Sequence, residues 1–104
     1  MEFDTKASQA LQERADHVAS RLALVANANR LLILCELAKG ERSVGTLQQA
    51  VGLSQSALSQ HLAKLREAGM VATRRESQTI HYRIDDPDLE VLIAALYKAF
   101  CKDM

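Results

Sequence analysis

Two short helical patterns separated by only three residues constrain this chain more than any other feature in it. Ser43 is a natural N-cap for a helix carrying Val44, Leu47 and Val51, and Gly52 ends that helix within about two turns. Ser54 then caps the next helix at once. That second helix, 55–68, puts Leu58, Leu62 and Leu65 on one side, while Gln55, Ser56, Ser59, Gln60 and Ala63 fall away from it and Gly69 terminates it. A short helix, a Gly-Leu-Ser turn and a helix with a polar outer face form a helix-turn-helix pattern.

The flanking segments supply the remaining layers. Residues 8–26 space Leu11, Ala15, Val18, Ala19, Leu22 and Val25 by three and four, one apolar stripe on one helix. Asn27 and Asn29 break and recap the chain before a helix at 29–39 with Leu31, Leu34, Cys35 and Ala38, closed by Gly40. From Met70 to Ile84 the residues alternate, with Val71, Thr73, Thr79, Ile80, Tyr82 and Ile84 as strand formers around a turn at Ser77 and Gln78. Asp86 caps a last helix, 87–102, with Pro87 at its first position and a broad apolar face of Leu89, Leu92, Ile93, Leu96, Tyr97 and Phe100. The expected fold is mainly α with a two-stranded β wing, a winged helix-turn-helix in the order α-α-α-α-β-β-α.

A length of 104 residues fits one domain, 1–104, and 48% apolar residues with one proline exclude disordered and collagenous classes. No apolar run approaches the roughly 18 residues of a membrane span, and the first twenty residues mix charges throughout, so a cytoplasmic location away from membranes is expected.

Thirteen basic and thirteen acidic residues cancel overall, but not locally. Within 42–83, Arg42, Lys64, Arg66, Arg74, Arg75 and Arg83 face only Glu67 and Glu76, so the acidic excess lies in the flanks. A basic middle between acidic ends suits a nucleic-acid reader embedded in its own oligomerisation elements, although a solvated face has the same composition. The major groove of double-stranded DNA admits one helix, and short polar side chains on its leading turns can reach base edges. Gln55, Ser56, Ser59 and Gln60 are therefore the base-reading candidates, with Ser54 at the cap and Lys64 further along. His61 lies nearer the apolar edge, open to packing, capping or a phosphate contact. In the wing, Arg74 and Arg75 point to opposite faces because strand side chains alternate. One of them, with Gln78 at the tip, is expected to meet DNA, and the other to form a surface ion pair.

At Leu53 to Val71, LSQSALSQHLAKLREAGMV, the sequence resembles the recognition helix and wing entry of the ArsR/SmtB family of winged-helix repressors. NANRLLIL at 27–34, SVGTLQQAVGLSQSALSQHLAKLREAGMV at 43–71 and the hairpin at 72–84 occur in family order, so the resemblance covers nearly the whole chain. It implies a homodimer that binds operator DNA and is released by an inducer. The last helix has more apolar surface than a domain of this size need bury internally, which points to dimerisation through helices 8–26 and 87–102, the alternative being that both complete the monomer core.

Family members differ mainly in what they sense. Many metal sensors of the family carry Cys-x-Cys before the recognition helix, or paired Asp and His on the last helix, and this sequence has neither; His17, His61 and His81 are scattered over three elements. No metal or cofactor is expected. There remain Cys35 and Cys101, the only two cysteines. As residues they are open to a packing role, since Cys35 falls on an apolar face. The pair resembles that of the family's persulfide-sensing and redox-sensing branch, which implies that reactive sulfur species or an oxidant bridges Cys35 to Cys101. Near the end of the last helix, with Lys98 and Lys102 to favour thiolate against the opposing helix C-terminus, Cys101 is expected to be the more accessible thiol and Cys35 its resolving partner. The resulting expectation is a dithiol-based repressor that binds DNA when reduced; its rival is a winged-helix regulator with inert cysteines. An enzyme is not expected, because no paired His and acid motif and no Gly-rich phosphate loop accompanies either thiol.

Overall fold

The computed structural model describes residues 4–101. Its elements are α1 (Thr5–Glu13), α2 (Ala15–Val25), α3 (Ala28–Ala38), β1 (Arg42–Ser43), α4 (Val44–Val51), α5 (Gln55–Glu67), β2 (Val71–Glu76), β3 (Thr79–Ile84) and α6 (Pro87–Phe100). Every helix start but that of α2 has a side chain satisfying a backbone N–H that no preceding turn can serve. Asn27 accepts from Arg30 N, Ser43 from Thr46 N, Ser54 from Ala57 N, and Asp86 from the N–H groups of Asp88 and Leu89. Gly52 closes α4 in the left-handed region, at φ 71°, a conformation that a Cβ disfavours. The turn into α5 is therefore built into the covalent chemistry of three residues.

The core gathers around α3. Ile33, Leu34 and Leu37 meet Leu47 from α4, Leu58, Leu62 and Leu65 from α5, Met70, Val71 and Ile84 at the base of the sheet, and Leu89 and Ile93 from α6. Removing each such side chain from water stabilises the fold by roughly 1.5–3 kcal/mol. The three leucines of α5 are all within this core, which fixes the rotation of the helix and leaves its opposite side in solvent.

The sheet is antiparallel with strand order β1-β3-β2. The expected hairpin is present, turning at Ser77 with φ 59°, and pairs Thr73 with Tyr82, Arg74 with His81 and Arg75 with Ile80. The two residues of β1 add a third, short strand through Arg42 with Tyr82 and Ser43 with His81.

The expected single helix at 8–26 is two helices. Arg14 leaves helical geometry at φ −105° and ψ 10°, its N–H tightening onto Leu11 O at 3.1 Å, and the chain resumes as α2. The extra α1 and β1 lengthen the expected order without altering the winged helix-turn-helix. No buried residue lies in α1 and only Val25 in α2, so these helices add little to the monomer core. The last helix does contribute Leu89 and Ile93, yet leaves Val91, Tyr97 and Phe100 exposed. Among the described residues no single helix is long and apolar enough to cross a membrane.

Candidate nucleic-acid interface and thiol pocket

Burial of Leu58, Leu62 and Leu65 turns Ser54, Gln55, Ser56, Ser59, Gln60 and Lys64 outward, and all six are exposed. Ser54 Oγ accepts from Ala57 N at 3.1 Å, which commits that oxygen to the helix start; its neighbours on the face carry the free donors and acceptors. His61 is different. It is half-buried on the α3 side of the helix, where its Nδ1 accepts from Arg30 Nε at 3.3 Å, while Arg30 Nη1 donates to Leu24 O at 3.1 Å. His61 thereby joins the recognition helix to α3 and to the end of α2.

The wing separates its two arginines as strand alternation requires. Arg74 is the one in an ion-pair network, with Glu41 at 2.7 Å and Glu76 at 2.8 Å. Hydrogen bonds from its guanidinium hold both carboxyls below the usual carboxylate range, and they in turn raise Arg74 above the ordinary arginine value. Among the described residues Arg75 makes no ion pair; it donates Nε to Ser77 O at 3.2 Å, at the wing tip beside exposed Gln78. Directly paired residues of an antiparallel ladder share a face, so Arg75 lies with Ile80, Thr73 and Tyr82. Ile80 and Tyr82 line a groove together with Gln55 and Ser59 of α5. Arg75 and the polar face of the recognition helix are on one side of the molecule.

Arg21 of α2 is a second joint. Its guanidinium donates to Ala68 O at the C-terminal end of α5, at 3.1 Å, and forms an ion pair with Asp86, the cap of α6. Burial pushes the Asp86 carboxyl up, but Arg21 together with the N–H groups of Leu89 and Asp88 outweighs it and holds the carboxyl below its ordinary value.

Cys35 and Cys101 are both free thiols and both half-buried. Both line one cavity of about 230 Å³ between α3 and α6, together with Leu31, Ile93, Leu96, Tyr97 and Phe100. The Cys35 side chain beside it pushes the Tyr97 phenol above its usual range. Tyr97 was expected only as part of an apolar face; its placement four residues before Cys101, one helical turn, is the signal that could have singled it out. Among the described residues no three His, Cys, Asp or Glu side chains come together as a metal site.

Residues 27–73, from the start of α3 into β2, match the family described as bacterial regulatory protein, arsR family. The transcriptional activator HlyU of Vibrio cholerae serotype O1 is 44% identical over 95 residues, spanning 88% of this chain and 88% of that protein. The crystal structure of the transcriptional repressor BigR from Xylella fastidiosa superposes with a TM-score of 0.86 at 41% identity, covering 90% of this chain and 96% of that one. A homodimeric winged helix-turn-helix DNA-binding domain, Mb0332 from Mycobacterium bovis, matches with a TM-score of 0.70 at 32% identity over 95% of this chain and 89% of that one. Sequence relatedness and backbone agree along nearly the whole chain, which is a winged helix-turn-helix transcription regulator belonging to the arsR family.

Proposed function

We propose that this regulator is a dithiol-switched repressor: a homodimer that binds operator DNA while Cys35 and Cys101 are reduced, and leaves it when reactive sulfur species or an oxidant joins the two. The observation that carries this reading is that both thiols line the same apolar cavity between α3 and α6. Joining them removes two electrons and two protons, delivered to peroxide as water or to a sulfane-sulfur donor as sulfide and thiol.

DNA contact falls to the exposed face of α5, with Gln55, Ser56, Ser59 and Gln60 reading base edges and Lys64 meeting phosphate, and to Arg75 and Gln78 at the wing. Arg74, tied to Glu41 and Glu76, is the less available of the two arginines. Dimerisation through α1, α2 and α6 would cover Leu11, Leu22 and Val91, which the monomer leaves exposed at 58%, 45% and 68%. A bridge would draw α6 against α3. The Arg30–His61 bond and the Arg21 contacts to Ala68 and Asp86 connect those helices to the middle and the C-terminal end of the recognition helix, so the reduced and bridged forms can hold it differently.

The test pairs intact mass with operator binding after treatment with disulfide, persulfide or peroxide. An intrachain bridge without a covalent dimer is expected, with operator affinity falling about 5-fold to 150-fold. Cys35→Ser and Cys101→Ser should each bind normally and stay bound under the inducer. A single variant that still responds in full refutes the mechanism, and equal affinity of reduced and oxidised wild type assigns the thiols to packing alone.

A further inference from the structure

Among the described residues, the walls of the thiol cavity contain no charged side chain. Leu31, Ile93, Leu96 and Phe100 surround the two sulfurs, and among the described lining residues the one polar side chain beside the thiols is Tyr97. Lys39, a cation near Tyr97, is paired with Glu36 at 3.0 Å. The volume of about 230 Å³ is below the roughly 300–1,000 Å³ of pockets that enclose drug-sized ligands. An anionic, peptide-sized sulfur carrier would have to bring its carboxylates against leucine and phenylalanine with no partner to replace their water, a costly transfer. A short, uncharged organic polysulfide loses little on leaving water and gains contact with the same walls.

We propose, building on the dithiol reading above, that this cavity selects small uncharged organic polysulfides over anionic, peptide-sized sulfur donors. With a dialkyl trisulfide, RSSSR, one cysteine thiolate attacks an outer sulfur, forming Cys–S–S–R and expelling the perthiolate RSS⁻. The second cysteine thiolate attacks the cysteine sulfur of that mixed disulfide, closing the bridge and releasing RS⁻. The two thiols are oxidised by two electrons, the trisulfide is reduced to RSSH and RSH, and the two thiol protons end on those products. No further oxidant is needed.

The experiment follows bridge formation by intact mass in the reduced full-length protein, using dimethyl trisulfide and glutathione trisulfide, which present the same reactive bonds. Urea-unfolded protein, with both thiols in solvent, gives the reference ratio of rates. The folded protein is expected to favour dimethyl trisulfide by at least about tenfold beyond that reference, because charge burial is what separates the probes. Phe100→Lys, at a position 78% exposed, puts a cation at the mouth and should lose most of the preference while still forming the bridge. A folded ratio equal to the unfolded one overturns the selectivity and leaves the dithiol switch standing. Absence of the intrachain bridge with both reagents overturns both.

Discussion

Asp86 uses its two oxygens for two separate tasks, and substitutions can take them apart. Oδ1 accepts from the N–H groups of Asp88 at 3.0 Å and Leu89 at 3.3 Å, while Oδ2 takes the Arg21 guanidinium. Loss of an N-cap costs about 1 kcal/mol. An ion pair whose side chains are 31% and 17% exposed is partly screened and contributes about 0.5–1 kcal/mol. Asp86→Ala should therefore destabilise by about 1.5–2 kcal/mol, whereas Asp86→Asn keeps a good capping oxygen and should lose only about 0.5–1 kcal/mol. In a domain of this size each kcal/mol shifts Tm by about 4–8 °C. Thermal and urea unfolding at one fixed protein concentration would resolve the two, the concentration being held because the proposed dimerisation would add to apparent stability.

The pH dependence supplies an independent check on the same residue. The Asp86 carboxyl sits below its ordinary value of 3.8 in the folded chain, so the stability it contributes is present above that value and is lost as pH falls through the lower, folded one. The gap between wild type and Asp86→Asn should close in that acid window, since a protonated Asp86 offers Arg21 no charge. Equal losses for Asp86→Ala and Asp86→Asn, or a gap unchanged in acid, would refute the division of labour between the two oxygens.

Other outcomes follow from the interface. Arg75→Ala should weaken DNA binding on all sequences and lower the salt slope by about 1, while Arg74→Ala should change that slope little; salt titrations of the two variants decide between them. Alanine at Ser56, Ser59 or Gln60 should each cost about 1–3 kcal/mol on operator with little loss on random DNA, and equal losses on both would assign these residues to phosphate. Footprints should show inverted half-sites with centres about 10 base pairs apart or a multiple of it, as a twofold dimer requires. Val91→Glu should shift the protein toward monomer in sedimentation without loss of helicity, because Val91 is exposed in the isolated chain.

Local chemistry made most of the fold readable. Ser43, Ser54, Asn27 and Asp86 are caps whose partners lie within three residues, and Leu58, Leu62 and Leu65 declare the inner face of α5 by spacing alone. Features set by distant contacts were hidden. A two-residue strand has no period, and β1 exists because β3 presents Tyr82 and His81 to it. The break at Arg14 has no Gly or Pro to announce it, and α1 has no buried residue to make its stripe continuous with α2. The candidate site divides in the same way. Outward residues of the recognition helix follow from the helix period, but which wing arginine is tied up depends on Glu41, thirty-three residues away in sequence. Likewise Arg30 reaching His61, and Tyr97 beside Cys35, require α3 to lie against α5 and α6.

Among the described residues, the strand order β1-β3-β2 leaves the outer rim of β2 without a neighbour. A row of free amides and carbonyls on a hairpin is a template onto which another chain can add a strand. Here the outer half of that rim carries Arg74, Arg75 and Glu76, all exposed, so an incoming strand would have to desolvate three charges to pair. The charges assigned above to ion pairing and phosphate contact also guard the protein against fibrillar association. Making the wing tip apolar to tune its grip on DNA would expose an adhesive edge, and such variants should be lost to aggregation before their operator affinity could be compared.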